Sequence, residues 1–152
     1  IVDCDWSSDV CSSDLVRGIP RPRTGSIALP LARSPEDRRR VIVTLAGQAS
    51  ETRYEVLASD TPGPDPVSSS CSLVRCELVT GRTHQIRVHF ASVGHPILGD
   101  ATYGVPHAEL GRQALHAWRL TLSHPASGAP LRVESPIPTD FRAIAGRLLP
   151  SG

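Results

Sequence analysis

LVTGRTHQIRVHFASVGHPILGDATYG, residues 78 to 104, changes its hydrophobic period partway along and so indicates the fold class. Leading into it, SLVRCELVTG alternates Val74, Cys76 and Leu78 against Arg75, Glu77 and Val79, the period of a half-buried strand with Cys76 as a core thiol. From Thr83 to Val93 the period turns helical. Ile86, Phe90 and Val93 recur on one stripe, Thr83 is placed to cap the start, and Gly94 followed by Pro96 supplies the stop. Thr83 and Arg87, a turn apart, then share the polar side. A strand ending in Thr-Gly that runs straight into Arg, Thr, His and Gln gathers donors at one mouth, suited to phosphate or a carboxylate. By periodicity alone, an ordinary solvated helix start reads the same way.

Strand grammar continues on both sides. GSIALPLAR is a short strand broken by Pro30, hence an edge or an exit. Val41 to Ala46 is a β-branched run, and Glu51 to Ala58 sets Thr52, Tyr54 and Val56 against Glu51, Arg53 and Glu55. Asp60 to Ser70 is a loop by composition. Downstream, LHAWRLTLSHP and LRVES flank an Ala126-Ser127-Gly128 turn and form a hairpin, with Leu131 and Val133 on one side. Thr139 or Asp140 opens a last helix whose inner stripe is Phe141, Ile144, Ala145 and Leu148. Many strands and few helices give an α+β fold: a largely antiparallel mixed sheet with a few flanking helices.

With 152 residues, 39% of them hydrophobic, the chain fits one compact domain. It holds no apolar run long enough to span a bilayer, and its start is not a signal peptide, so no membrane partner is expected. Four cysteines without a CxxC pair favour a reduced, cytoplasmic setting. All 16 basic residues are arginine. Arginine is the better phosphate fork, so nucleic acid is a candidate partner.

The opening, IVDCDWSSDVCSSDL, lacks either periodicity and holds Asp3, Asp5, Asp9 and Asp14 with no basic residue; without it the balance is +5. Residues Asp5 to Leu15 resemble a translated sequencing-library adapter. Residues 1–15 are therefore expected to be non-native and to stand outside the fold, leaving 16–152 as the C-terminal part of a domain cut on its N-terminal side.

The wording of the central stretch closely resembles the signature of the RluA-like pseudouridine synthases, GRTHQIRVH followed by GHPI-GD-YG. The residues are Gly81 to His89, Gly94 to Ile97, Gly99-Asp100 and Tyr103-Gly104. The likeness extends to Val16–Gly18, to Thr52, Tyr54, Val56 and Leu57, to Arg112–Ala117, to Ser123–Gly128 and to Ser135–Phe141, and so covers nearly all of Val16 to Leu149.

The resemblance implies isomerisation of uridine to pseudouridine in ribosomal or transfer RNA, with no metal and no organic cofactor, by a cytoplasmic and monomeric enzyme. The family's catalytic aspartate lies in an HRLD-x-x-TSG type of motif upstream of the VRG stretch, and residues 16–152 contain no Arg-Leu-Asp. Arg87 matches the arginine that pairs with that aspartate, so its partner is expected to be absent and the fragment inactive. Leu115 matches an apolar position against the flipped base. Arg82, Thr83, His84 and Gln85 match the motif and either brace the site or touch RNA phosphate. Neither Tyr54 nor Tyr103 inherits the role of the family's tyrosine, which also lies before VRG.

Other readings stand beside this one. The chain could be a non-catalytic RNA-binding module. A metal-dependent hydrolase built on His84, His89 and Asp100 is disfavoured, because the histidines are five apart and no HExxH accompanies them. Asp100 fits a structural turn better than a catalytic acid. Tyr54 and Trp118 are expected in the core, Arg38 to Arg40 on a solvated run, and Cys71 and Cys76 as unpaired thiols.

Overall fold

The computed structural model describes residues 10–60 and 70–148. In chain order the elements are β1 (Val10–Arg17), β2 (Thr24–Ile27), β3 (Leu31–Arg33), β4 (Val41–Val43), β5 (Thr52–Ser59), β6 (Cys71–Leu78), α1 (Gln85–Ser92), β7 (Leu115–Ser123), β8 (Pro130–Glu134) and α2 (Thr139–Leu148). Six strands form one sheet in the order β2-β5-β6-β1-β7-β8, and every neighbouring pair is antiparallel. β3 and β4 make a separate ribbon. This is the α+β class indicated by the sequence. Pro30, which cannot donate to a ladder, separates β2 from β3 and leaves β2 on the sheet edge.

The helices cover opposite faces of the sheet. Tyr54 pairs across with Cys76, Cys76 with Ser12, and Ser12 with Ala117, so these four share one face. Tyr54 meets Phe90 of α1 edge-on at 5.5 Å. His116, one residue from Ala117, points to the other face, where its ring lies 6.3 Å from Phe141 of α2. The α2 stripe of Phe141, Ile144, Ala145 and Leu148 is buried as its spacing requires.

Three expectations need correction. The opening segment does not stand outside the fold: Val10 to Leu15 lie in the middle of the sheet, bonded to β6 on one side and β7 on the other. The backbone of this segment satisfies the strand N–H and C=O groups of both neighbours. Thr83 does not cap α1, which starts at Gln85 after His84 and has no side-chain cap. Val93 is exposed, while Val88 packs on Leu31 and Val41 of the ribbon, so α1 is buried on two sides. The β7–β8 hairpin forms as expected, and Leu120, Leu131 and Val133 face solvent, because alternation tells which residues share a face and not what covers it. Of the Asp60–Ser70 loop, residues 61–69 lie outside the described residues, as do 1–9 with Trp6.

One consequence of seating β1 is a carboxyl in the core. Asp14 is fully enclosed; its Oδ2 accepts from the Ser12 hydroxyl at 2.8 Å and its Oδ1 from the His116 N–H at 3.2 Å. No arginine pairs with it among the described residues. Burial, outweighing these hydrogen bonds, pushes its carboxyl up to about 6.

Candidate active site

Gln85 holds the strand-to-helix junction together. It is buried, and its amide uses every position it has: Oε1 accepts from the Thr80 hydroxyl at 2.8 Å and the Arg82 N–H at 3.0 Å, while Nε2 donates to Glu51 O at 2.9 Å and Thr52 Oγ1 at 3.0 Å. One side chain thus ties β5, the end of β6 and the loop into one corner. Gln85 braces, and no atom of its amide is left for a ligand. His89, fully buried, extends this network. The Thr52 hydroxyl, already accepting from Gln85, donates to Nδ1 at 2.9 Å, and Nε2 donates to Leu29 O at 3.0 Å. Burial keeps the imidazole below its ordinary pKa, consistent with this neutral tautomer.

Two residues along α1 from Gln85, about half a turn, Arg87 points to the other side and meets Asp100. Nε reaches Oδ2 and Nη2 reaches Oδ1, both at 2.7 Å, with the Asp100 side chain fully enclosed and Arg87 14% exposed. Arg87 therefore pairs with an anion of this chain, Asp100, which is not the upstream aspartate that the resemblance assigns to it. The sequence places Asp100 within reach, because α1 stops at Gly94, in the left-handed region at φ 84, and the returning chain is short. The turn expected at Asp100 is present: Oδ1 also accepts from the N–H groups of Thr102 at 2.9 Å and Tyr103 at 3.1 Å. Burial opposes the charge on Asp100, but Arg87 and the two N–H groups outweigh it and hold the carboxyl below its usual range. Among the described residues Arg87 Nη1 has no protein partner.

Tyr103 is the hub that sequence reasoning missed. Its ring lies under the guanidinium carbons of Arg87 at 5.0 Å and Arg40 at 5.5 Å. Its hydroxyl accepts from the Val41 N–H at 2.8 Å and lies 2.9 Å from His84 Nδ1. His84 occupies the left-handed region at φ 54, uncommon for a residue with a Cβ, and this turn carries the chain into α1. Burial first, and then the charge of Arg87, holds its imidazole below the ordinary pKa. The spacing of the GD-YG turn from the helix was the signal available for Tyr103, since the same turn brings Asp100 back.

The motif residues thus divide. Arg82 and Thr83 are exposed, His84 is half-buried against Tyr103, and Gln85 is enclosed. Leu115 is half-buried at the start of β7, opposite Asp14, and packs on the same core that holds Ile86 and Phe90. His84, His89 and Asp100 do not converge, each being committed to a different protein partner, and among the described residues no group of three His, Cys, Asp or Glu is placed to hold a metal. Tyr54 is partly buried against Phe90; the indole nitrogen of Trp118 is buried without a partner, and Arg119 lies over that ring at 4.0 Å. Cys71 and Cys76 are free and buried. No helix among the described residues is long and apolar enough to cross a membrane.

Comparison with known proteins gives this corner a family. Residues 6–92 match the family described as RNA pseudouridylate synthase. The chain is 42% identical over 131 residues to ribosomal large subunit pseudouridine synthase D of Nitrosomonas europaea, covering 80% of this chain and 36% of that protein. It is 43% identical over 136 residues to an uncharacterized RNA pseudouridine synthase of Chloroflexus aurantiacus, covering 88% and 40% respectively. Among solved structures, human RNA pseudouridylate synthase domain containing 1 superposes with a TM-score of 0.69 at 26% identity, over 84% of this chain and 54% of that one. The chain spans well under half the length of these curated relatives. With the family matched over more than half of its residues, the chain belongs to the RNA pseudouridylate synthases.

Proposed function

We propose that this chain carries the arginine side of an isomerase that converts uridine to pseudouridine in ribosomal or transfer RNA, in the cytoplasm. In that reaction the bond from uracil N1 to the ribose carbon breaks, the base turns, and C5 bonds to the same carbon. The C5 hydrogen leaves to solvent and N1 gains a proton. No electrons are gained or lost, so no redox cofactor is called for.

The observation that carries the reading is the unspent Nη1 of Arg87. Asp100 fixes the guanidinium plane along its other edge, so a second carboxylate brought to Nη1 would meet a positioned cation that keeps it ionised. Asp100 itself is enclosed and committed, which argues against its attacking a nucleotide. We infer that the attacking aspartate belongs to sequence outside residues 16–152, that residues 1–15 are foreign to the protein, and that the chain alone has no turnover. The burial of Asp14 with no cationic partner among the described residues supports the second point, since a native core strand seldom carries a carboxyl without one. Leu115 would supply an apolar wall beside the base, excluding water from the reacting bond.

Tritium release from RNA labelled at uracil C5 tests this. The chain alone should release none. Joined at Val16 to an upstream segment that carries an HRLD-x-x-TSG type of motif, it should release tritium. Release by the chain alone, or none from a folded joined protein, would overturn the reading.

A further inference from the structure

We propose that the groove between the β3–β4 ribbon and residues 81–83 is a second RNA contact, gripping backbone phosphates through Arg33 and Arg82, outside the corner where the base would react. This rests on the RNA reading above and adds a surface to it. The groove measures about 430 Å³ and is lined by Leu31, Arg33, Val41, Gln48, Arg82 and Thr83 among others.

Charge singles it out. Across the sheet and α2 most arginines are answered by acids, Arg17 and Arg142 excepted: Arg53 by Glu51 and Glu77, Arg75 by Glu55, Arg147 by Glu109, with Arg112 held by Asp140 of α2. Around the groove Arg33, Arg38, Arg40 and Arg82 have no carboxylate partner among the described residues, and the nearby Asp37 is taken by Arg39. Arg33 spends only Nη1, on Arg38 O at 2.9 Å; Arg82 spends only Nε, on Ala49 O at 3.4 Å. Each keeps guanidinium N–H groups for phosphate oxygens.

The groove is also preformed, which spares a ligand the cost of ordering it. Leu31 and Val41 pack on Val88, and Tyr103 accepts from the Val41 N–H. A Cβ at Gly47 would meet the Leu31 backbone at 2.6 Å, so the ribbon closes there only on glycine. The cationic track continues to the site, since Arg40 and Arg87 both face the Tyr103 ring. Leu45, 97% exposed in the turn after β4, offers an unstacked base an apolar contact beside the phosphates. A strand with charged backbone and splayed bases fits that pairing better than an acidic peptide does.

The test is fluorescence anisotropy of the full chain with a labelled single-stranded, uridine-containing RNA oligonucleotide across a salt series. Arg33→Gln with Arg82→Gln should weaken binding at least tenfold near 0.1 M salt and reduce the slope of log K against log salt by about 1.4, roughly 0.7 per phosphate contact on a single strand. Leu45→Ser should weaken binding and leave the slope alone. Arg142→Gln, an unpaired arginine on α2, should change neither. A double-variant slope equal to that of the starting protein would overturn the groove alone, as would an equal loss from Arg142→Gln. Polyglutamate competing as well as RNA would overturn it in favour of an acidic protein partner. No RNA binding by the starting protein would overturn the groove, whereas the isomerase reading fails on tritium release in the joined protein.

Discussion

Arg87 and Asp100, 13 residues apart, meet along two parallel contacts of 2.7 Å, which leaves one guanidinium nitrogen free of partners among the described residues. A bidentate pair at an enclosed carboxylate fixes the plane of the cation, not merely its position. Asp100 therefore orients the arginine and leaves it able to serve a second anion.

Replacing Asp100 separates its two tasks. Asp100→Asn keeps an oxygen for the N–H groups of Thr102 and Tyr103 but leaves Arg87 half-buried without its anion, so it should lower stability by about 3 kcal/mol. Asp100→Ala should cost more, because both N–H groups lose their acceptor as well. Urea denaturation at pH 7 measures the difference. Since the folded carboxyl is held below its ordinary value, the stability Asp100 provides is present above about pH 3.8 and is lost as pH falls below it.

Asp14 works in the opposite sense. Its folded value is raised to about 6 from 3.8, so the folded state holds the extra proton and stability falls as pH rises through that window. The penalty above pH 6 is about 3 kcal/mol. Asp14→Asn should recover most of it at pH 7.5 and flatten the profile between pH 4 and 6. A variant no more stable than its parent at pH 7.5 would show that the carboxyl is not enclosed as described.

His89 should be visible once Asp14 is neutralised. Its folded pKa is lowered, chiefly by burial, so the stability it secures is present above about pH 6.5 and declines as pH falls below that value. In an Asp14→Asn background, denaturation midpoints should drop from pH 7.5 to 5.5, and His89→Gln should flatten that drop while lowering the midpoint overall.

Gln85 offers a test of bracing against binding. Gln85→Ala leaves the Arg82 N–H without its acceptor and removes one of two donors to the Glu51 carbonyl, so a loss of about 2 kcal/mol is expected. Gln85→Glu should also destabilise, having no donor for Glu51 O. In RNA titrations of the folded fraction the affinity should stay within about twofold of the starting protein. A tenfold loss with unchanged stability would instead make Gln85 a ligand contact.

Much of this architecture was legible because it rests on local periodicity. The stripe of α2, the alternation of β5 and β6, the break at Pro30 and the stop at Gly94 are each dictated within a few residues. What the pattern could not reveal depends on partners distant in sequence. Val88 is buried because the β3–β4 ribbon folds over it, and Leu131 is exposed because nothing among the described residues covers that edge. Thr83 looked like a cap, but the junction is held by Gln85 reaching back to Glu51 and Thr52. Arg87 was legible as a cation waiting for an anion; that Asp100 serves one edge of it follows only from the returning turn.

The most direct measurement is tritium release by the protein joined at Val16 to an aspartate-bearing upstream segment, comparing Arg87→Ala and Arg87→Lys with their parent. The account predicts a loss of roughly a hundredfold or more for alanine. It predicts only partial recovery for lysine, since one ammonium cannot serve Asp100 and a second carboxylate with the same geometry. Release within threefold of the parent from folded Arg87→Ala would contradict it.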